Sequence, residues 1–234
     1  MNPHPPGMTG LKHLTTKHIV DIETFESAKK DYYTYCRQIE NPDYSPDKAA
    51  QAFETLCQKF ENTLRICGSE AKVTEGVSTF LGEQKRFIPN ASLQTGSTEF
   101  NFTFGLFREF YLVTELKNPH NLKHMKDDFW HLLFKLADIG KFGFKENDKP
   151  SSAMRSKYPQ LFNKQGNYYK LLRNYFLYEM EHGLIRSLGY VSVSWPNQTS
   201  FGKLIPKACE AFRLMYEINL LLWRPDNKST KLKS

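Results

Sequence analysis

Along much of the chain, apolar residues recur at steps of three and four, the spacing that gives a helix one face to bury. From Asp21 to Glu40 the stripe is Ile22, Phe25, Ala28, Tyr32, Tyr35, Cys36 and Ile39, and Asn41 with Pro42 predicts its end. A second start follows at once. Ser45 is a capping residue, Pro46 suits the first helical turn, and Asp47 complements the positive end of the helix dipole. Phe53, Leu56, Cys57, Phe60, Leu64 and Cys67 then keep one face until Gly68. The two stripes predict a helical hairpin, because each needs a partner to cover it.

The pattern is less regular beyond Gly68. Thr74–Phe87 reads as a short helix weakened by Gly76 and Gly82, and Pro89–Gly96 as a loop. Glu99–Phe104 alternates with period two and reads as a strand or as an extended stretch pinned by its rings. Leu106–Leu116 reads as a short apolar helix, and Leu122–Ile139 as a longer one with Met125, Phe129, Leu132, Leu133, Leu136 and Ile139 inward. Residues 140–165 are polar and turn-rich, and the glycines of Ile-Gly-Lys-Phe-Gly-Phe read as a helix terminus. Tyr168–Leu188 predicts a helix interrupted at Gly183. Tyr190–Trp195 alternates as a strand, Pro196-Asn197-Gln198 reads as a turn, and Phe201–Ile205 as a returning strand. Pro206 opens a last helix to Trp223, and Pro225 stops it. The fold class expected is mainly α: a helical N-terminal region followed by an α+β region with one small β-hairpin.

Charge divides the chain unevenly. Residues 117–174 hold twelve basic and five acidic side chains, and the stretch from Lys203 to Ser234 holds seven and three. Residues 1–67, with eight and nine, are near neutral. A local positive surplus suits a polyanion, since neutralising phosphates releases counterions, although it also serves solubility alone. Aromatic residues are abundant, with 18 Phe, 12 Tyr and 3 Trp, which argues against a disordered chain.

The text MEHGLIRSLGYVSVSWPNQTSFGKLIPKACEAF, residues 180–212, resembles the C-terminal half of winged-helix DNA-binding domains. There a recognition helix ends in a Gly-Leu-Ile-like segment, a two-stranded wing follows, and the next helix opens on a Thr-Pro-Lys-Gly-like stretch. The matching residues are Gly183, Leu184 and Ile185, then Pro206, Lys207 and Ala208, with Ala208 standing where glycine is typical. The resemblance, over residues 167–223, implies that the first turns of the helix meet DNA. Asn167, Tyr168, Lys170, Arg173 and Asn174 would lie there, with Lys and Arg holding phosphates and Asn pairing with adenine edges. Asn197, Gln198 and Lys203 would lie in the wing. The domains expected are a flexible arm over 1–20, a helical domain over 21–118, a basic winged-helix-like domain over 119–225 and a polar tail over 226–234. The alternative makes the same helix the most buried element of a core, with Lys170 and Arg173 as its solvated edge.

Candidate catalytic chemistry is thin. His120, His124 and His131, with Asp127 or Asp128, lack the Glu of a zincin motif and read as surface residues. Glu179, Glu181 and His182 suggest acid–base work or RNA cleavage, but Arg173 lies nine residues from His182 on a poorly matched face. The chain shows no phosphate loop, nucleophile elbow or dinucleotide fingerprint, so hydrolase, kinase and dehydrogenase readings lack support. No cofactor or metal is expected. Cys36, Cys57, Cys67 and Cys209 contain no C-x-x-C spacing and read as buried thiols. The N-terminus lacks the pattern of a signal peptide, and no apolar run is long enough to span a bilayer, which places the chain in the cytoplasm with no membrane partner. The expected function is binding of nucleic acid, chiefly duplex DNA, in regulation of transcription or replication, by a homodimer or within a larger protein assembly. The alternatives are a helical protein-interaction or assembly subunit without nucleic acid, and, less favoured, an unrecognised enzyme such as a metal-dependent or helical nuclease.

Overall fold

The computed structural model describes residues 26–32, 45–73, 77–81, 88–96, 98–104, 109–146, 151–163, 165–180 and 187–223. Their elements, in chain order, are α1 (26–32), α2 (Pro46–Glu70), β1 (Val77–Leu81), β2 (Asn90–Thr95), β3 (Thr98–Phe104) and β4 (Glu109–Lys117). A 3-10 helix (Pro119–His124) leads into α3 (Asp127–Ile139), β5 (Lys141–Lys145) and α4 (Ser152–Lys157). A second 3-10 turn (Pro159–Phe162) precedes α5 (Asn167–Met180), β6 (Ser187–Pro196) and α6 (Phe201–Trp223). The protein is therefore a mixed α+β fold, with N-terminal helices and a six-stranded sheet ordered β1-β2-β3-β4-β6-β5 in place of one small hairpin. Residues of the expected arm and tail, 1–20 and 226–234, lie outside the described residues.

Two compact units divide the described residues. One draws on Met1–Leu112 and Trp195–Arg213, the other on Val113–Ser194 and Leu214–Ser234. In the first unit α2 lies on β1, β2 and β3. Phe53, Leu56, Cys57, Phe60, Leu64 and Cys67 are buried, as the helical stripe predicts. Phe60 meets the rings of Phe102 at 5.0 Å and Phe110 at 6.1 Å, both edge-on, the geometry that aligns ring edge with ring face. Phe100, also on β3, meets Phe212 of α6 at 4.1 Å. The helix runs past Gly68 and ends in a Schellman turn, with Val73 N–H donating to Gly68 O at 2.9 Å and Lys72 N–H to Ser69 O at 3.0 Å. Lys72 takes the left-handed position, φ 56°, where a side chain is strained. Lys72→Gly should therefore raise stability by roughly 0.5–1 kcal/mol in urea denaturation, a gain reduced by glycine's freedom in the unfolded chain.

Several expected elements are corrected. Residues 77–81 are strand, not helix, and pair antiparallel with β2, Thr79 opposite Leu93. Pro89–Gly96 contains a strand, β2, with Ala91, Leu93 and Thr95 buried and Asn90, Ser92 and Gln94 turned the other way. It pairs antiparallel with β3, Leu93 opposite Phe100. The Leu106–Leu116 helix gives way to β4, where Phe110, Leu112, Thr114 and Leu116 are buried at period two. Phe201–Ile205 is not a returning strand but the first turn of α6, because Phe201, Leu204, Ile205, Ala208, Cys209 and Phe212 continue one buried helical face. Pro206 thus sits inside the helix rather than at its start. Glu26 supports the true start, accepting from Phe201 N–H at 3.4 Å and pairing with Lys29, which donates to Asn197 O at 3.1 Å.

In the second unit, Phe129, Leu133, Leu136 and Ile139 form the buried face of α3. β5 pairs antiparallel with β6, Phe142 opposite Val193 and Phe144 opposite Val191. Gly189, at φ 128°, lets β6 pass close beside β5: an added Cβ would lie 2.5 Å from Lys145 O. Asn121 donates to Leu222 O at 2.7 Å, closing the end of α6 onto the 3-10 helix.

Candidate nucleic-acid interface

Helix α5 carries the residues expected to meet a groove, and the structure turns most of them inward. Asn167 Nδ2 donates to Phe142 O at 2.8 Å. Tyr168 stacks on Phe142 at 4.5 Å and meets Phe134 edge-on at 4.9 Å. Its hydroxyl is held above the ordinary tyrosine range by burial, then by the charge of Asp138. Arg173 is 3% exposed, ion-paired to Glu146, with its guanidinium 4.6 Å from the ring centre of Phe162 and a weak donation to Leu161 O. Asn174 is buried and donates to Leu188 O at 2.7 Å. Arg173 Nε and Asn174 Oδ1 have no hydrogen-bond partner among the described residues. Arg173 and Asn174 thus tie α5 to its own unit, and Arg173 is not the solvated edge of the helix. Lys170 is partly exposed.

The turn residues fall in the first unit. Gln198 and Lys203 are exposed and Asn197 is partly exposed, Lys203 standing on α6 and not on a second strand. No two-stranded wing spans 190–205: β6 pairs with β5, and the chain returns as helix. Gly183, Leu184 and Ile185, with Glu181 and His182, lie outside the described residues.

Sequence reasoning missed β5. Gly140 and Gly143 of Ile-Gly-Lys-Phe-Gly-Phe read as a helix terminus, yet Lys141–Lys145 alternates as a strand with Phe142 and Phe144 buried and Lys141 and Lys145 exposed. The register sets Lys141 opposite Ser194, Gly143 opposite Ser192 and Lys145 opposite Tyr190. Opposed residues share a face, so the exposed Lys141 and Lys145, the half-buried Tyr190 and Ser192 and the buried Ser194 occupy one side of this strand pair. Gly143 leaves room for the Ser192 hydroxyl, since an added Cβ would come 2.5 Å from Ser192 Oγ. Cations aimed at phosphates, hydroxyl donors and a ring able to stack are the parts that nucleic-acid surfaces use. The unit's other exposed cations include Lys123, Lys126, Lys135, Arg155 and Lys157, against the exposed carboxylates Asp127, Asp128, Asp138 and Glu179.

His120 and His124 stand exposed on the 3-10 helix, and His131 on α3. With three residues per turn, a 3-10 helix does not stack side chains four apart. Among the described residues no group of three or more His, Cys, Asp or Glu is placed to hold a metal ion, and no helix is long and apolar enough to cross a membrane. No protein-family model, curated protein or solved structure matches the chain.

Proposed function

We propose that the chain binds nucleic acid through the β5–β6 surface of its second unit, with Lys141 and Lys145 on backbone phosphates, Ser192 between them and Tyr190 beside Lys145. The observation that carries this reading is the shared face set by the β5–β6 register. The exposed cations of the same unit supply the long-range attraction. A sheet face bearing a ring among cations favours single strands, whose unstacked bases present their faces, over duplex DNA. The groove-reading role expected of α5 loses Arg173 and Asn174 and is not part of the proposal.

The test is fluorescence anisotropy with labelled single-stranded RNA, single-stranded DNA and duplex DNA between about 50 and 200 mM salt. The double variant Lys141→Gln/Lys145→Gln should weaken binding and flatten the salt dependence by about 1.4 to 1.8 in log–log slope, near 0.7 to 0.9 per phosphate contact. Binding that ignores both substitutions, or is absent from the wild type at low salt, would reject this surface.

A second reading rests on apolar rings in the same unit. Phe134 on α3 is 52% exposed, and Phe176 and Met180 on α5 are 49% and 40% exposed. Rings presented this way suit a protein partner in a larger assembly. Phe134→Ser/Phe176→Ser would abolish partner capture under that reading and leave nucleic-acid affinity unchanged.

A further inference from the structure

Cys67 ends the buried stripe of α2, and Cys209 lies in the buried face of α6, both within the first unit. They are 1% and 4% exposed, and their Sγ atoms stand 3.0 Å apart. Non-bonded carbon atoms rest at roughly 3.5–4.0 Å, and sulfur is larger, so the pair is closer than packing alone requires. A disulfide needs its sulfurs at about 2.05 Å, so closure asks for about 1 Å of approach. Burial also holds the Cys67 thiol well above its ordinary value. The folded pair is therefore slow to form the thiolate that attacks a disulfide.

We infer that Cys67 and Cys209 form a disulfide that staples α2 to α6. With oxidised glutathione as oxidant, one cysteine thiolate attacks a glutathione sulfur and releases one glutathione thiolate. The second cysteine thiolate then attacks the protein sulfur of the mixed disulfide and releases the other. Two cysteine thiols are oxidised, one glutathione disulfide is reduced to two thiols, and the two cysteine protons pass to them. The thiols are out of reach in the folded state, so the bond closes during folding or local opening. The two positions are 142 apart in sequence, and Val113–Ser194 leaves and rejoins the first unit between them. A long closed loop restricts the unfolded chain strongly.

The full chain would be denatured and reduced, then refolded in a buffer of reduced and oxidised glutathione, acid-quenched and alkylated. Non-reducing peptide mapping should show Cys67 joined to Cys209, with both missing from the alkylated set. Melting should occur roughly 5–15 °C higher for the oxidised than for the reduced protein. The gap should vanish in Cys209→Ala, or in Cys209→Ser if that variant folds better, and persist in Cys57→Ala. Alkylation of Cys67 and Cys209 after oxidative refolding, a dominant bond to Cys36 or Cys57, or a linked pair with no melting gap would each overturn the inference.

Discussion

Phe60→Ala should lower folding stability by about 3–5 kcal/mol, the range for truncating a large buried ring. Phe60 is fully buried on α2 and meets Phe102 and Phe110, which belong to adjacent strands. Those two rings stack on each other at 6.4 Å, so removing Phe60 strips contacts from both at once. Two turns further on, Gly68 sets the α2 backbone in close packing with Leu93, where an added Cβ would meet the Leu93 side chain at 3.4 Å. Urea denaturation followed by far-UV circular dichroism reads the loss. Phe176→Ala, truncating a ring that is half exposed, supplies the contrast and should change stability by no more than about 1 kcal/mol. Equal losses in the two variants would mean that the α2–sheet contact is not the centre of the first unit's core.

The second large effect is expected at Arg173. Arg173→Met removes the cation from a buried pair and leaves the Glu146 carboxylate, 16% exposed, without it. Breaking a buried pair from one side costs about 3–5 kcal/mol, and the partial exposure of Glu146 places this case at the lower end. Arg173→Met/Glu146→Gln should recover most of the loss, because neither charge then remains buried alone. The guanidinium also faces the Phe162 ring, and Arg155 lies over that ring at 5.1 Å, so part of the loss will show as loosening of the Pro159–Phe162 turn in hydrogen exchange. At a temperature where the variant is folded, its salt-dependent nucleic-acid binding should match the wild type. A binding defect in a folded Arg173→Met/Glu146→Gln protein would return this residue to the interface.

The stripe from Phe53 to Cys67 specified α2 and its buried face, since a run of six apolar residues at helical spacing has no competing period. Glu99–Phe104 carries the period of β3, and pairing with β2 makes it a strand rather than a lone extended stretch. β2 was not legible, because Asn-Ala-Ser-Leu-Gln-Thr has one large apolar side chain and its strand character comes from pairing on both sides. β4 mixes apolar residues at steps of one, two, three and four, and only pairing chooses between the periods. Phe201–Ile205 fits both a strand and a helical turn, and continuity with Ala208, Cys209 and Phe212 decides it.

For the candidate interface, the surplus of cations between 117 and 174 was visible in the sequence, but not which of them faces solvent. A single Arg on a helix carries no sign that a Glu 27 residues away waits for it in the core. The alternation of Lys-Phe-Gly-Phe-Lys carries Lys141 and Lys145 on one side of a strand, but its central glycine fits a helix terminus equally well.

The first unit is built from two separate stretches of chain, and this sets a timetable for its birth on the ribosome. Phe100 emerges early, yet Phe212, the ring it meets, is made 112 residues later. At roughly 5–20 residues per second, synthesis separates the two by about 6–22 s. During that interval Phe100 lacks its companion from α6, and the Trp195–Arg213 segment has yet to be made. The second unit's Val113–Ser194 stretch is complete before the first unit can be, so a nascent chain must shield an unfinished core while the intervening segment is translated, and a chain stalled before Trp195 would be a natural client for chaperones.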